Sequence, residues 1–294
     1  MPVDQQPTIR RRRLGAELRR MRETAKLSLE QVAQHLECHR ATISRLELGR
    51  SALRSRDLRQ LLALYGITDQ DRVDAYVALA RTGLQRGWWQ EYQDTLPPTY
   101  TDYIALESDA TYLRVFQPLL LPGLLQTDAY ARAITGTLPT RMTDTELDLY
   151  VRVRSERRSV IDSGRTRFCG IVSEAALRTP VGGPDTMEDQ LRHLLKVTQL
   201  SNVSLQVLPF RMGEHAGLHG PFVLMSFPLE HESDIVYLEN LTSSLYLEKP
   251  HDVQAYTHVF DSLRSTALSP RESETAIINM LHAFESGGTN DAHA

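Results

Sequence analysis

The sequence predicts a mainly α N-terminal domain of five helices followed by a larger, mixed α+β domain. Three observations carry that prediction. Apolar residues recur at helical spacing through about residue 80, with caps and single glycines between the repeats. Beyond residue 165, four apolar runs read as strands, with helical segments before, between and after them. The charge also changes sign. Residues 1–60 carry 14 Lys/Arg against 7 Asp/Glu, a net +7, whereas the remainder carries 19 against 30, a net −11. A basic first part joined to an acidic second part directs a polyanion such as nucleic acid to the first part only.

With 294 residues the chain is long enough for two hydrophobic cores. No stretch of 18 uncharged apolar residues is present, so no membrane partner is expected, and Met1–Gln6 lacks a charged-then-apolar leader. The two cysteines, Cys38 and Cys169, sit in no metal-ligand spacing and fit a reducing cytoplasm.

The first helix follows from Leu14, Leu18, Met21 and Ala25, which fall on one face amid Arg10–Arg13, Arg19, Arg20 and Arg22. Arg10–Arg13 read either as a minor-groove arm or as the solvated start of that helix. Ser28-Leu29-Glu30-Gln31 is a capping box, Ser28 and Gln31 satisfying exposed N–H groups. It opens a short helix that turns Val32, Ala33 and Leu36 inward. Glu37-Cys38-His39 form a tight turn. A third helix runs from Arg40 to about Leu48, with Ile43 and Leu46 buried, and Gly49 stops it. Two short helices joined by a three-residue turn, with small Ala33 at their crossing, make a helix-turn-helix. Ser55-Arg56-Asp57 starts a fourth helix burying Leu58, Leu61, Leu62 and Leu64 and ending at Gly66. Thr68-Asp69-Gln70-Asp71 caps a fifth that carries Val73, Tyr76, Val77 and Leu79.

The run Leu27–Arg50 resembles the Cro/repressor-like helix-turn-helix family, also called the xenobiotic-response-element (XRE) family. The matching elements are Leu-Ser-x-x-x-Val-Ala, Thr42-Ile43-Ser44-Arg45-Leu46-Glu47 and Gly49-Arg50, within a similarity that covers Leu14–Ile67. The resemblance implies that the third helix lies in the DNA major groove, with Arg40, Ala41, Ser44 and Arg45 toward base edges. An arginine there can grip guanine in a bidentate way. It also implies phosphate contacts from Thr42, Arg50 and the helix N-terminus at Ser28 and Gln31. Leu29 stands where the family often has Gln, and His39 where it usually has Ser or Thr. Both departures put individual contacts in doubt and leave the docking mode intact.

Behind it, Leu96-Pro97-Pro98-Thr99 is a break, and the boundary is expected near Gly83–Trp88, giving domains 8–83 and 88–285. Tyr103–Phe116 reads as helical. Gln126 or Thr127 is placed to cap a helix over Asp128–Thr135, and Thr143–Asp162 reads as one long charged helix. Strands are expected at Phe168–Val172, Ser204–Phe210, Phe222–Phe227 and Ile235–Leu241, with helices at Met187–Val197, Val253–Leu268 and from Pro270 onward.

Several phrases here, Tyr103–Glu107, Leu121–Arg132, Ser173–Arg178, Gln206–Pro209 and Gly220–Phe222, resemble the C-terminal domain of the actinobacterial WhiJ-like regulators over about Trp88–Ile277. That domain has long been described only as being of unknown function. The resemblance implies a protein partner rather than a reaction, namely a small acidic protein encoded nearby, in an arrangement described for some members as antitoxin-like.

Other constellations point weakly to chemistry. His215 and His219 are four apart, but the glycines around them argue for a loop or ligand lid rather than a metal site. Glu107 and Glu174 could work as an acid/base pair, although carboxylates that accept backbone N–H groups or an arginine are the commoner case. Glu107, Gln126, Glu174, His215 and His219 are therefore the expected partner or ligand contacts. No phosphate loop, Gly-x-Ser-x-Gly or dinucleotide fingerprint occurs, so no enzyme, metal or cofactor is expected. The expectation is a cytoplasmic, nucleoid-associated homodimer on an inverted-repeat operator in double-stranded DNA, regulated by a small protein or ligand. The rival reading is an antitoxin-like interaction protein that neutralises its partner and represses its own operon.

Overall fold

The computed structural model describes residues 9–51, 53–82, 88–92, 95–138, 142–228 and 234–287. The chain divides into two compact units, residues 1–109 with 228–232, and residues 110–227 with 233–294.

The first unit begins with five helices, α1 (Ile9–Thr24), α2 (Leu29–His35), α3 (Arg40–Glu47), α4 (Ser55–Leu64) and α5 (Gln70–Thr82). Each reflects local sequence. Ser28 and Gln31 form the expected reciprocal cap of α2, with Gln31 N to Ser28 Oγ at 3.2 Å and Ser28 N to Gln31 Oε1 at 2.8 Å. Leu18, Met21, Val32, Ala33, Ile43, Leu46, Leu58, Leu61, Leu62, Val73, Tyr76 and Val77 form one buried core. The helical periods of five separate segments thus converge on a single apolar centre. Leu79 lies outside the residues whose side chains are described. So does Arg10, although its backbone, with that of Arg11–Arg13, belongs to α1 and is not an extended arm. The expected boundary segment falls largely outside the described residues. A further helix, α6 (Pro98–Asp109), groups with the first unit.

The second unit holds one six-stranded sheet in the order β3-β2-β1-β4-β5-β6, with β1 (Tyr112–Gln117), β2 (Arg167–Ser173), β3 (Val203–Leu208), β4 (Phe222–Ser226), β5 (Ile235–Glu239) and β6 (Ser244–Leu247). β1, β2 and β3 run parallel, Phe116 opposite Ile171 and Ile171 opposite Gln206. β4 lies antiparallel to β1, and β5 and β6 continue as a meander. The parallel connections carry α7 (Asp128–Thr135), α8 (Asp144–Arg157) and α9 (Ser159–Asp162), then α10 (Glu174–Arg178) and α11 (Pro184–Val197). After β6 come α12 (Pro250–Thr266) and α13 (Pro270–Gly287). On one sheet face Phe116, Cys169, Ile171, Phe222, Leu224 and Val236 pack with Phe260 and Leu263 of α12. The alternate residues Leu113, Val115, Phe168, Val172, Leu205, Met225 and Ile235 are buried as well, so both faces are covered.

Three sequence expectations need correction. Tyr103–Phe116 is not one helix; α6 stops at Asp109 and β1 begins at Tyr112. Leu113, Val115 and Phe116 suit a central strand hydrogen-bonded on both sides, and that pairing outweighs helical spacing. β6 was not expected. It is four residues long and exists through its hairpin with β5, closed by Asn240 N to Ser243 O at 2.8 Å. The helix over Thr143–Asp162 is interrupted at Arg158, which separates α8 from α9.

The orientation of α3 rests on unusually close packing against α1. A Cβ on Gly15 would stand 2.6 Å from the carbonyl oxygens of both Leu46 and Glu47. At Gly49, with φ +72°, a Cβ would meet Arg12 N at 2.7 Å. Arg22 locks this contact. Its Nε and Nη2 donate to Glu47 at 2.6 and 3.0 Å, and Nη1 donates to Leu27 O at 2.9 Å. Both side chains are about nine-tenths buried. Removing one partner of such a pair strands the other, whereas an exposed pair contributes little. Glu47→Ala is therefore expected to destabilise the protein by about 2–4 kcal/mol in denaturant melts. Glu23→Ala, which removes the exposed pair with Arg19 and a longer 3.6 Å contact with Arg22, should change stability by less than about 1 kcal/mol.

Candidate nucleic-acid interface

The turn between α2 and α3 is built by the backbone. Glu37 takes φ +50°, the left-handed position usually held by glycine, and Cys38 N donates to Ala33 O at 2.9 Å, closing the end of α2. His39 then sets α3 going without a side-chain cap. Along α3, Ile43, Leu46 and Glu47 are buried, Thr42 and Ser44 are half-buried, and Arg40, Ala41 and Arg45 are exposed. Residues 40, 41, 44 and 45 recur at helical spacing and form one outward face. Leu48 follows on that face and is 50% exposed, a residue the sequence reading passed over. Its place four residues after Ser44 was the available signal. Arg50 is exposed beyond the Gly49 stop.

Ser28 and Gln31 are exposed, but Ser28 Oγ and Gln31 Oε1 are engaged in the α2 cap. Phosphate contacts at this point fall to the remaining donors of the helix start. The sequence reading also missed Glu30, whose carboxylate lies 3.0 Å from Arg40 Nε.

The residues expected to touch a partner are not brought together as one cluster. Glu107, on α6, is 1% exposed and accepts from Tyr103 Oη at 2.8 Å. Gln126 is 5% exposed; its Nε2 donates to Leu121 O at 2.7 Å and its Oε1 accepts from Arg154 at 2.9 Å. Gln190, fully buried, completes this arrangement. It accepts from Thr127 N at 2.7 Å and donates to Leu125 O at 2.8 Å. The Leu121–Thr127 segment is therefore held in place by two amide side chains, and Thr127, of the two expected caps, is the one that caps α7 through Tyr130 N. Gln126 and Glu107 serve internal structure here. His219 is exposed.

Glu174 and His215 instead anchor the long connection from β3 to β4. Glu174 Oε2 accepts from Phe210 N at 3.0 Å, and its Oε1 pairs with Arg178 at 2.7 Å. His215 Nδ1 accepts from Gly217 N at 3.1 Å, and its ring stands edge-on to Phe116. Gly217 passes so close to β1 that a Cβ would lie 2.5 Å from the Phe116 ring. So fixed, the connection displays Phe210 and Leu218, 59% and 68% exposed. The Phe210 N–H, reinforced by Arg178, holds the Glu174 carboxyl below its ordinary value. A depressed carboxyl stabilises the folded form above its unfolded value and loses that contribution as pH falls. Hydrogen exchange of the Phe210–Gly220 amides should thus accelerate as pH is lowered through and below the ordinary carboxylate range, after correction for intrinsic exchange. In Glu174→Gln the acceleration should be absent.

Comparison with known proteins yields two matches. Residues 13–75 match the family described as Helix-turn-helix domain, and residues 100–279 match the Domain of unknown function (DUF5753). No curated protein and no solved structure matches the chain. The helix-turn-helix match covers α2, the turn and α3 together with most of the core that supports them, and it points to a DNA-binding regulator. The second match spans more than half of the chain, which therefore belongs to the family of the Domain of unknown function (DUF5753), with a helix-turn-helix domain ahead of it.

Proposed function

We propose that this chain is a sequence-specific, non-enzymatic transcriptional regulator that reads double-stranded DNA with α3. The observation that carries this reading is the outward face of α3. Arg40, Ala41, Ser44 and Arg45 project from a helix whose other side is fixed by Ile43, Leu46 and the buried Glu47–Arg22 pair. Arginine at such a position offers two parallel donors to guanine O6 and N7, and alanine accepts a thymine methyl. Thr42, Arg50 and the start of α2 at Ser28 and Gln31 hold phosphates and set the register. Titration of operator and scrambled DNA tests the division. Arg40→Ala or Arg45→Ala should lose about 1–3 kcal/mol on the operator and relax preference at one base pair. Arg50→Ala should weaken both DNAs alike. Unchanged operator affinity in both α3 variants would overturn the reading.

One α3 helix spans only a few base pairs, so the protein acts as a homodimer on an inverted repeat. Half-sites are expected about 10 base pairs apart, centre to centre. Light scattering of the free protein with footprinting on DNA checks this, and a monomer in both states counts against it. The cellular setting is cytoplasmic and nucleoid-associated.

The second unit is the sensing part, responsive to a small protein or ligand, as the WhiJ-like resemblance implies. A second reading, antitoxin-like neutralisation of a small protein encoded nearby, is favoured by one feature. The anchored β3–β4 connection presents Phe210 and Leu218 to solvent, and exposed apolar side chains on a fixed loop suit a protein surface. A stable small protein that co-purifies with the chain would favour this second reading.

A further inference from the structure

Glu30 and Arg40 belong to different helices, and neither is part of the hydrophobic core. Glu30 is the second residue of α2, in the turn fixed by the Ser28–Gln31 cap, and Arg40 is the first residue of α3. The carboxylate of Glu30 meets Arg40 at Nε, 3.0 Å away, with the two side chains 66% and 63% exposed for Arg40 and Glu30. Such an exposed pair adds little to stability. Its geometry matters more. The carboxylate stands against the Nε edge as an ion pair and leaves the two terminal nitrogens of the guanidinium as an end-on fork, the arrangement that matches guanine O6 and N7. The carboxylate also offsets the arginine's charge, so a phosphate becomes a poorer competitor for that guanidinium.

We infer that Glu30 is a positioning residue that turns Arg40 from a general phosphate contact into a base reader, and so sets sequence discrimination at one base pair. The inference rests on the DNA-binding reading of α3. It differs from a structural role because it separates specific from non-specific affinity, which a merely destabilised fold would lower together.

The test measures the full-length wild type, Glu30→Ala, Glu30→Gln, Arg40→Ala and the Glu30→Ala/Arg40→Ala pair. Each is titrated with the operator, with every single base-pair variant of one half-site, and with scrambled DNA, at two salt concentrations. Glu30→Ala and Glu30→Gln are expected to bind scrambled DNA several-fold more tightly. Their discrimination should fall about five- to tenfold at one base pair, the size of effect expected when a bidentate arginine contact is loosened. That base pair should be the one at which Arg40→Ala loses discrimination, and the double variant should lose no more there than Arg40→Ala alone. If Arg40→Ala relaxes one base pair and the Glu30 variants do not, or relax a different one, the positioning role is overturned while α3 remains the reading helix. If wild type does not distinguish operator from scrambled DNA, both the inference and the reading beneath it fall.

Discussion

The geometry of the first unit depends on a close contact between α1 and the end of α3, where Gly15 and Gly49 leave no room for a side chain and Arg22 grips Glu47. A recognition helix must hold its orientation to well within the width of a side chain, since hydrogen bonds to base edges tolerate little misplacement. Apolar packing alone is forgiving of small slides. A backbone-to-backbone contact without Cβ atoms, pinned by a two-pronged ion pair, is not. The carboxylate takes both prongs of Arg22, and the remaining nitrogen caps Leu27 O in the loop before α2. One arginine thus ties together α1, the start of α2 and the end of α3, the three pieces whose relative placement makes a helix-turn-helix usable.

The second unit applies the same principle with amides. The Leu121–Thr127 segment would bury several main-chain polar groups without a regular partner. Gln126, Gln190 and Tyr130 supply partners at Leu121, Leu125 and Thr127, and Arg154 braces Gln126 in turn. This explains why a phrase as conspicuous in sequence as Leu-Pro-Gly-Leu-Leu-Gln-Thr need not mark a surface site. Its polar members face inward because the backbone they serve is inside.

What was legible in the sequence follows from range. The α2 cap, the Gly49 stop and the buried stripe of α3 depend on residues within one or two turns of each other, and all were readable. The strands at Phe168, Val203, Phe222 and Ile235 were visible as apolar runs. β1 was not, because Tyr112–Gln117 follows a true helix and its strand state is set by β2 and β4, some fifty and a hundred residues away. β6 was missed for a related reason: four residues carry too short a pattern, and its state comes from the hairpin. At the candidate interface, the outward residues of α3 came from the family resemblance, with which their helical spacing agrees. Glu30 and the Arg22–Glu47 pair did not, since side-chain partnerships between helices have no signature in a single sequence. Glu107 and Gln126 were expected as partner or ligand contacts; both are buried, and their hydrogen bonds to Tyr103, Leu121 and Arg154 are internal, which sequence spacing does not reveal.

The charge distribution acquires a purpose beyond solubility on the DNA-binding reading. Specificity is a ratio of operator affinity to affinity for all other DNA, and the second term is almost entirely electrostatic. A regulator therefore gains from lowering its general attraction to phosphate as much as from adding base contacts. The net −11 borne by the residues after position 60 reduces the attraction of the whole chain to a polyanion and touches no base. Glu30 does the same on the scale of a single side chain, at the start of the reading helix. On that reading, opposing charge at two length scales, one spread over the residues after position 60 and one 3.0 Å from an arginine, lowers the general attraction to phosphate against which base contacts by α3 would compete.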